Sequence, residues 1–595
     1  MSDTEFNDRP RKNEKAESIK YVNELIDKAR AESKLEDIPK LEKLAEMLNT
    51  TKYGLVWEEH AEQVEKEMKT KIPVFIENKQ KKLQDNENST KFNFLLEGDN
   101  LHTLHLLEKT HLGKIDVIYI DPPYNTGTKE GAFRYNDKLV LNDDTYIHSK
   151  WLSFMHARLS IAEKLLTNNG VLFLHIDENE YAQVKLLLDE IFGEGAFVEN
   201  IIWNKRVPKN DKGIGAIHEY VLIYTKSPRI EFQVEKEGLE EIFELVTKAK
   251  ESGKTPLEAQ KLLRAFYKDD ENDYPRAVTL YNCVDNNYRV FGKINMSWPN
   301  GNTIGPRYDV IHPKTGKPVK VPARGWRWNT ETLDEALKGN SQNLEDGSFL
   351  RGRVWYAKDE KTQISSVKYL SETNRMLLKS IVSLKSDGSL SLEKLGFKKN
   401  EFAYAKPVTL VKKLIESITY NNQNATVLDF FAGSGTTGQA VIELNDEDGG
   451  DRQFILATNN ENNIAEEVTY ERMRRISKGT DKYDSRPINL SYFKTGFVNK
   501  KDFPDVSLEY ELLKHITPLV ELEFGVDIDN PIVQIVLNEE QLDSLINKNK
   551  LVSNSTLFIH PDVFLDEYQN QTLRNLQIKT QEIPSYFFGT EMWSK

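Results

Sequence analysis

Apolar strand-like runs alternate with helical ones along this chain, and the pattern appears twice, on either side of a stretch that lacks it. From Phe92, FNFLLEGDN passes into the helical segment LHTLHLLEKT and then into KIDVIYI, which ends at Asp121. A long helix over 149–167 follows, then Gly170, the strand VLFLHID, the helix YAQVKLLLDEIF and the strands NIIWNK and HEYVLIYTK. Strands that are apolar almost throughout have both faces buried, and helices between them supply the crossovers of a parallel sheet. The pattern therefore predicts an α/β fold, with a mainly parallel sheet covered on both sides. Between about 226 and 400 the alternation stops, and Gly, Pro, Trp and Arg become more frequent. It resumes with the helix KPVTLVKKLIESI, the strand ATVLDFF, the turn and helix GSGTTGQAVIEL and the strand RQFILAT.

The expected division is a helical arm over 1–70, a first α/β half over 91–226, an insert over 227–400, a second α/β half over 401–495 and a C-terminal segment over 500–595. In the arm, Leu25, Ile26 and Ala29 form one apolar stripe, and Leu41, Leu44 and Ala45 another. The very polar KKLQDNENSTK makes the region around 71–90 read as a linker or loop. The strands PIVQIVL and STLFIH mark the last segment.

A chain of 595 residues is too long for one ordinary core. It contains no apolar run near the ~18 residues that a membrane helix needs. Met1 to Lys20 lacks the apolar centre of a signal peptide, and one cysteine, Cys283, excludes an intrachain disulfide, so a reducing cytoplasm is expected. Cys283 reads as a packed thiol and cannot build a metal site alone. The net charge of -13 argues against nucleic acid coating the whole surface. The charge is segregated, however: residues 226–405 hold 30 Lys+Arg against 25 Asp+Glu, whereas 501–595 hold 7 against 16.

Two motifs stand at strand ends, where ligands of open α/β sheets bind. The first is Asp121-Pro122-Pro123-Tyr124. An amine conjugated to an aromatic ring is a poor nucleophile. The Asp121 carboxylate and the Pro122 carbonyl can each accept one of its N–H groups and stabilise the positive charge that grows on its nitrogen. Pro122 and Pro123 stiffen the loop, and Tyr124 offers a ring for stacking on an extruded base. The second motif is the Gly-rich turn Asp429-Phe430-Phe431-Ala432-Gly433-Ser434-Gly435-Thr436-Thr437. Its glycines permit a tight turn into a helix N-terminus, but no Lys follows them, so it is no phosphate-binding loop. A ligand with a charged amino-acid part and no phosphates suits it better.

Together, DPPY and FAGSGTT resemble the motifs of amino-methyltransferases that use S-adenosylmethionine. With DPPY first and the Gly-rich turn last, the order resembles the circularly permuted beta class of DNA adenine methyltransferases. The strings LLEGDNLHTL, DVIYIDPPYNTGT, HEYVLIYTK and RQFILATNNENN resemble those of Mod subunits of type III restriction-modification systems. The resemblance implies a Rossmann-like methyltransferase fold, permuted so that the catalytic half precedes the cofactor half, with an inserted target-recognition domain. It implies that Asp121 and Pro122 hold the target amine beside Pro123 and that Tyr124 stacks a flipped adenine. Phe431, Gly433, Gly435 and Thr436 would then line the S-adenosylmethionine pocket. Asp429 would face the donor's amino-acid end, Lys406 would open the element packed over its methionine part, and Asp99 would approach its adenine. The acid that holds the ribose is not evident among Asn459, Asn460 and Glu461.

In the insert, Arg307, Lys314, Lys317, Lys320, Arg324 and Arg327 accompany one acid, Asp309, with Tyr308, Trp326 and Trp328 as aromatic surface beside them. This composition suits a DNA backbone and base edges. His218 reads as a structural residue. The sequence holds no recognisable ATP-binding loop, helicase motif or nuclease triad, so the resemblance assigns cleavage to a separate Res partner and leaves the arm and the acidic tail for self-association, as a homodimer, and for docking. A cytosine-N4 methyltransferase, a DNA-binding specificity subunit without catalysis and an RNA methyltransferase remain as alternatives.

Overall fold

The computed structural model describes residues 14–31, 38–49, 57, 60–86, 89, 91–126, 147–205, 215, 217–227, 230–269, 274–399, 402, 405–503, 506–528, 532–584 and 587. The chain divides into two compact units. One comprises Met1–Ile230, Lys379–Ile415 and Asn421–Lys595, and the other Glu231–Leu378 with Glu416–Tyr420.

The first unit is built on a mixed sheet of eleven strands among the described residues. In chain order its main strands are β1 (Lys71–Glu77), β2 (Asn93–Glu97), β3 (Ile115–Ile120), β4 (Leu166–Ile176), β5 (Phe197–Asn204), β6 (His218–Thr225), β7 (Ile381–Ser383), β8 (Thr426–Asp429), β9 (Gln453–Thr458) and β10 (Asn489–Asn499). Across the sheet they run β1-β10-β2-β9-β8-β3-β4-β6-β5-β7. From β10 to β4 neighbours are parallel, whereas β6 is antiparallel to both β4 and β5. The centre is thus the parallel α/β sheet that the alternation predicts. The chain leaves β8 toward β9 on one side and β3 toward β4 on the other, so a topological switch point lies between β8 and β3.

The sheet core joins Leu96, Ile118, Leu174, Leu428 and Ile455 to helix residues Leu104, Trp151 and Leu159. Helix Asn100–Thr110 starts where the Asp99 carboxylate accepts the Leu101 N–H, and it buries Leu101, Leu104 and Leu107. Helix Ile147–Leu165 ends two residues earlier than the expected 167, because Leu166 and Thr167 already belong to β4. Gly170 lies inside that strand, where a Cβ would stand 3.0 Å from the Ile115 carbonyl oxygen.

The expected linker around 71–90 is overturned. KIPVFIE forms β1, paired antiparallel with β10, and Leu83–Gln84 pairs with β10 as well. The polar run after Lys81 had masked an apolar strand that buries Ile72, Val74 and Phe75. In the arm, helix Glu14–Ala31 buries Val22, Ile26 and Ala29, but Leu44 of helix Ile38–Asn49 is exposed, so the second expected stripe is incomplete. In the C-terminal segment, Val533–Val536, Thr556–Ile559 and Lys579–Glu582 form a small parallel sheet. Ile516, Leu519 and Val520 of helix Ile516–Phe524 enter the main core, so part of this segment is built into the α/β unit.

The second unit has a sheet of short antiparallel strands, in the order Ser341–Asn343, Phe349–Arg351, Val354–Tyr356, Ser365–Tyr369, Val290–Asn295, Cys283–Val284. Helices Leu239–Glu251 and Pro256–Phe266 bury Ile242, Val246, Ala259 and Leu263 beside it. The second of these helices starts with a Thr255/Glu258 capping box and Pro256. Cys283 is buried, and burial raises its thiol above the usual range, as a packed thiol should be. Among the described residues, no helix is long and apolar enough to cross a membrane.

Candidate active site

The two motifs follow adjacent parallel strands in register. Val427 pairs with Val117 and Leu428 with Ile118, so Asp121 and Phe431 stand three residues beyond the same rung. The Gly-rich turn needs its glycines: Gly433 has φ 48° and Gly435 φ 79°, and Gly435 begins helix Thr436–Asp448. Asp429 pins this turn from within. Its Oδ1 accepts the Phe431 N–H at 3.0 Å and its Oδ2 the Thr437 hydroxyl at 2.5 Å. Burial lifts its carboxyl to about 7, although both hydrogen bonds pull the other way.

Behind the turn lies Arg472, fully buried. It donates to the Ser434 carbonyl, the Ser434 and Thr436 hydroxyls and the Gln439 amide oxygen at 2.8–3.1 Å. Burial lowers its guanidinium to about 10. Thr469 donates to the Gly433 carbonyl at 2.6 Å. The sequence singles out neither residue, because each lies more than thirty positions from the motif, Thr469 in the π-helical turn Ile464–Tyr470 and Arg472 in the helix Glu471–Lys478.

The Asp121 loop is held differently. The Trp151 indole donates to the Pro123 carbonyl at 2.8 Å. The Tyr124 hydroxyl donates to Asp121 Oδ1 at 2.8 Å and lies 3.2 Å from Glu219 Oε2. Lys406 reaches into the same cluster. Its Nζ is 2.7 Å from the Tyr124 hydroxyl, 3.1 Å from Asp121 Oδ2 and 3.3 Å from Glu219 Oε2, and it sits over the Tyr124 ring, 4.7 Å from the centroid. Burial alone would lower its ammonium, but Asp121 and Glu219 outweigh burial and raise it above the ordinary value. Burial likewise works against ionisation of Glu219, yet Lys406, His175 and Lys205 hold it far below the usual carboxylate range. Lys205 is 2.5 Å from Glu219 Oε1, and His175 Nε2 is 2.9 Å from Glu219 Oε2. Burial, with Lys406 nearby, lowers the His175 imidazole below its ordinary range, although Glu219 pulls it the other way.

The sequence reading places Lys406 at the donor pocket. In the structure its backbone carbonyl is 3.4 Å from the Thr436 hydroxyl, at the Gly-rich turn, while its side chain joins Asp121. Glu219 was missed, although an acid opening the apolar strand HEYVLIYT is a signal, since a buried carboxylate needs a cation. The neighbouring His218 is bonded to the Tyr220 hydroxyl at 2.8 Å, in keeping with a structural residue.

Beside both loops lies a cleft of about 240 Å3, lined by Glu62, Asp99, Asn100, Pro123, Phe154, Phe430, Phe431, Thr458, Asn459 and Glu461. Of the residues expected at a donor pocket, Asp99 and Phe431 line it; Asp429 points into its own turn. The buried Arg158 fixes one wall, with NH1 2.5 Å from Glu62, Nε 2.5 Å from the Asn100 amide oxygen and NH2 3.4 Å from Asp99. Asn100 in turn donates to the Phe430 carbonyl at 3.0 Å, tying this wall to the Gly-rich turn. The Thr458 hydroxyl is buried at the cleft with no hydrogen-bond partner among the described residues.

In the second unit Arg307, Lys314, Lys317, Lys320, Arg324 and Arg327 are all exposed. Arg307 bonds the Ala323 carbonyl, Lys314 the Gly347 carbonyl at 3.1 Å, and Lys317 lies 3.9 Å from Glu360. The expected aromatic surface needs correction. Trp326 is fully buried, packed with Met296, Val310 and Val354, and its indole donates to the Tyr308 carbonyl. Tyr308 and Trp328 are only partly buried. The indole fills the core of a segment with few regular strands.

The profile of the family described as DNA methylase matches residues 115–471, which span both loops. The chain therefore belongs to the DNA methylase family. It is 30% identical over 507 residues to the Mod subunit of the type III restriction-modification enzyme EcoP15I of Escherichia coli, covering 80% of this chain and 73% of that protein. The Mod subunit of StyLTI from Salmonella typhimurium strain LT2 is 32% identical over 420 residues, 66% of this chain and 57% of that protein. The type II methyltransferase M.KpnI of Klebsiella pneumoniae is 30% identical over 407 residues, 64% of this chain and 84% of that protein. Within the DNA methylases, this chain is a member of the type III Mod subunit family.

Proposed function

We propose that the chain methylates the exocyclic N6 amine of adenine in a specific duplex DNA sequence, as the modification and recognition subunit of a type III system. The observation that carries this reading is the placement of Asp121-Pro122-Pro123-Tyr124 and the Gly-rich turn in register at the ends of neighbouring parallel strands. A donor held at one loop then lies against an amine held at the other.

S-adenosylmethionine suits the cleft. Phe430, Phe431 and Phe154 offer apolar surface, Glu62, Asp99 and Glu461 offer carboxylates to a cationic ligand bearing hydroxyls, and Thr458 has an unspent hydroxyl. Phe431 and Asp99 would hold it, Gly433, Gly435 and Thr436 would serve by shaping the turn that carries Phe431, and Glu461 is the acid best placed for its ribose. When bound, it supplies a methyl group on a sulfonium, activated for transfer to a nucleophile. Asp429 serves this pocket by fixing the turn.

The protein's own part is to hold the amine. Asp121 and the Pro122 carbonyl each accept an N–H, which directs the nitrogen lone pair and stabilises the positive charge growing there. Tyr124 stacks on the extruded base. The second unit, with its exposed cations, reads the target. DNA cleavage falls to a separate Res subunit, and the chain acts as a homodimer in the cytoplasm.

Single-molecule sequencing of DNA from a methylation-free bacterial host expressing this chain alone tests the reading. N6-methyladenine on one strand of a short asymmetric motif is the expected result. N4-methylcytosine, or unmodified DNA from cells holding the folded chain, overturns it.

A further inference from the structure

Lys406 stands where both halves of the substrate must go. Its ammonium lies on Asp121, which has to accept the amine, and over the ring of Tyr124, on which the base has to stack. The Tyr124 hydroxyl meanwhile occupies the other Asp121 oxygen. An ammonium left beside Asp121 would also oppose the positive charge developing on the amine nitrogen. Withdrawing a buried ammonium from a lone counter-ion leaves an uncompensated charge and is strongly unfavourable. Lys406, however, already has a second carboxylate at nearly the same distance: Glu219, 3.3 Å against 3.1 Å for Asp121. Glu219 is itself anchored through its other oxygen, Oε1, by Lys205, and His175 lies 2.9 Å from the Oε2 that faces Lys406, so the carboxylate can stay in place while Lys406 shifts.

We propose that Glu219 is a positioning residue for methyl transfer, receiving Lys406 when the target base displaces it from Asp121 and Tyr124. The resting site is then plugged by its own lysine, and the plug is released without leaving a buried charge alone. This inference rests on the adenine-N6 reading and deepens it.

The test uses the full chain and a duplex carrying the motif found by sequencing, with 2-aminopurine in place of the target adenine in a second set. Single-turnover methylation, DNA affinity, donor affinity and 2-aminopurine fluorescence are measured for the parent chain and for Glu219→Gln, Glu219→Asp, Lys406→Met and the Glu219→Gln/Lys406→Met double variant. Glu219→Gln confines Lys406 to Asp121. It should slow transfer roughly tenfold or more, within the coupling seen for residues sharing one ion-pair network, and weaken the fluorescence rise that marks base extrusion. DNA and donor affinities should change less than twofold. Glu219→Asp should recover part of the rate. The double variant should be faster than Glu219→Gln, because the plug is gone.

If the double variant is no faster than Glu219→Gln, or if Glu219→Gln extrudes the base and transfers methyl like the parent, the inference is wrong. A parent chain that puts no methyl on adenine overturns the underlying reading instead, whatever the variants do.

Discussion

Asp429 ends β8 and Asp121 directly follows the end of its parallel neighbour β3, yet the surroundings of the two carboxyls differ. Asp429 is 3% exposed, and both its oxygens accept hydrogen bonds from its own turn. The Asp121 side chain is a quarter exposed and, among the described residues, is held by two side chains, Tyr124 and Lys406. A carboxylate bonded within its own turn shapes a loop, whereas one bonded to side chains can exchange them for a ligand. Position at a strand end is shared by both, and it is the partners that separate scaffold from chemistry.

The sharpest break between the two comes from removing each carboxylate in turn. Asp121→Ala should reduce methyl transfer by about 10²–10³-fold, the usual loss when a group stabilising transition-state charge is deleted. Its melting temperature and DNA affinity should stay close to those of the parent chain, since Lys406 keeps Glu219 as counter-ion. Rates on a saturating duplex, alongside a thermal melt, check this. Retained transfer would mean that Asp121 is no more than a strand-end residue.

Asp429→Ala should show the opposite profile. It orphans the Phe431 N–H and the Thr437 hydroxyl in the interior, at a cost of about 1–3 kcal/mol for each group left unpaired, and so lowers the melting temperature and loosens donor binding. The pH dependence sharpens the contrast. A carboxyl lifted to about 7 in the fold stays protonated while its unfolded counterpart, near the ordinary 3.8, ionises. The unfolded state then binds fewer protons, so this group's contribution to stability falls as pH rises from about 4 to 7 and is level above that. Asp429→Asn, which cannot ionise, should lack the fall. The melting-temperature difference between parent and Asp429→Asn should therefore shift against the parent across that window, and a constant difference would show that Asp429 is ionised throughout.

Much of this was legible in the sequence because it is local. Apolar runs such as KIDVIYI and ATVL carry the buried period of a parallel strand, and a motif following such a run is placed by the strand itself. What escaped depends on residues brought together by the fold. Lys406, Glu219 and Tyr124 meet from three separate segments, and no spacing rule links them. β1 was hidden because its apolar stretch is short and leads into the polar run after Lys81. Trp326 reads as surface in the sequence because it sits within a run of Lys and Arg, but a large indole in a segment with little regular structure fills that segment's core. Composition marked the insert as different, and the structure gives it a sheet and core of its own.

The comparison extends to charges that hold a partner without reacting with it. Lys320, Arg324 and Arg327 are exposed, and among the described residues no acid pairs with them. If they lie against phosphates, replacing all three with Ala should lower the slope of log affinity against log salt by about 2–3, close to one per phosphate contact. The loss in affinity should be the same on target and non-target duplexes and should shrink as salt rises, since it reflects released counterions. A loss confined to the target sequence would instead place these side chains against base edges, where arginine reads guanine directly. Such a result would move the second unit's cations from holding the duplex to reading it. Their role would then come closer to that of Asp121, which recognises one particular group, than to that of a phosphate-binding surface.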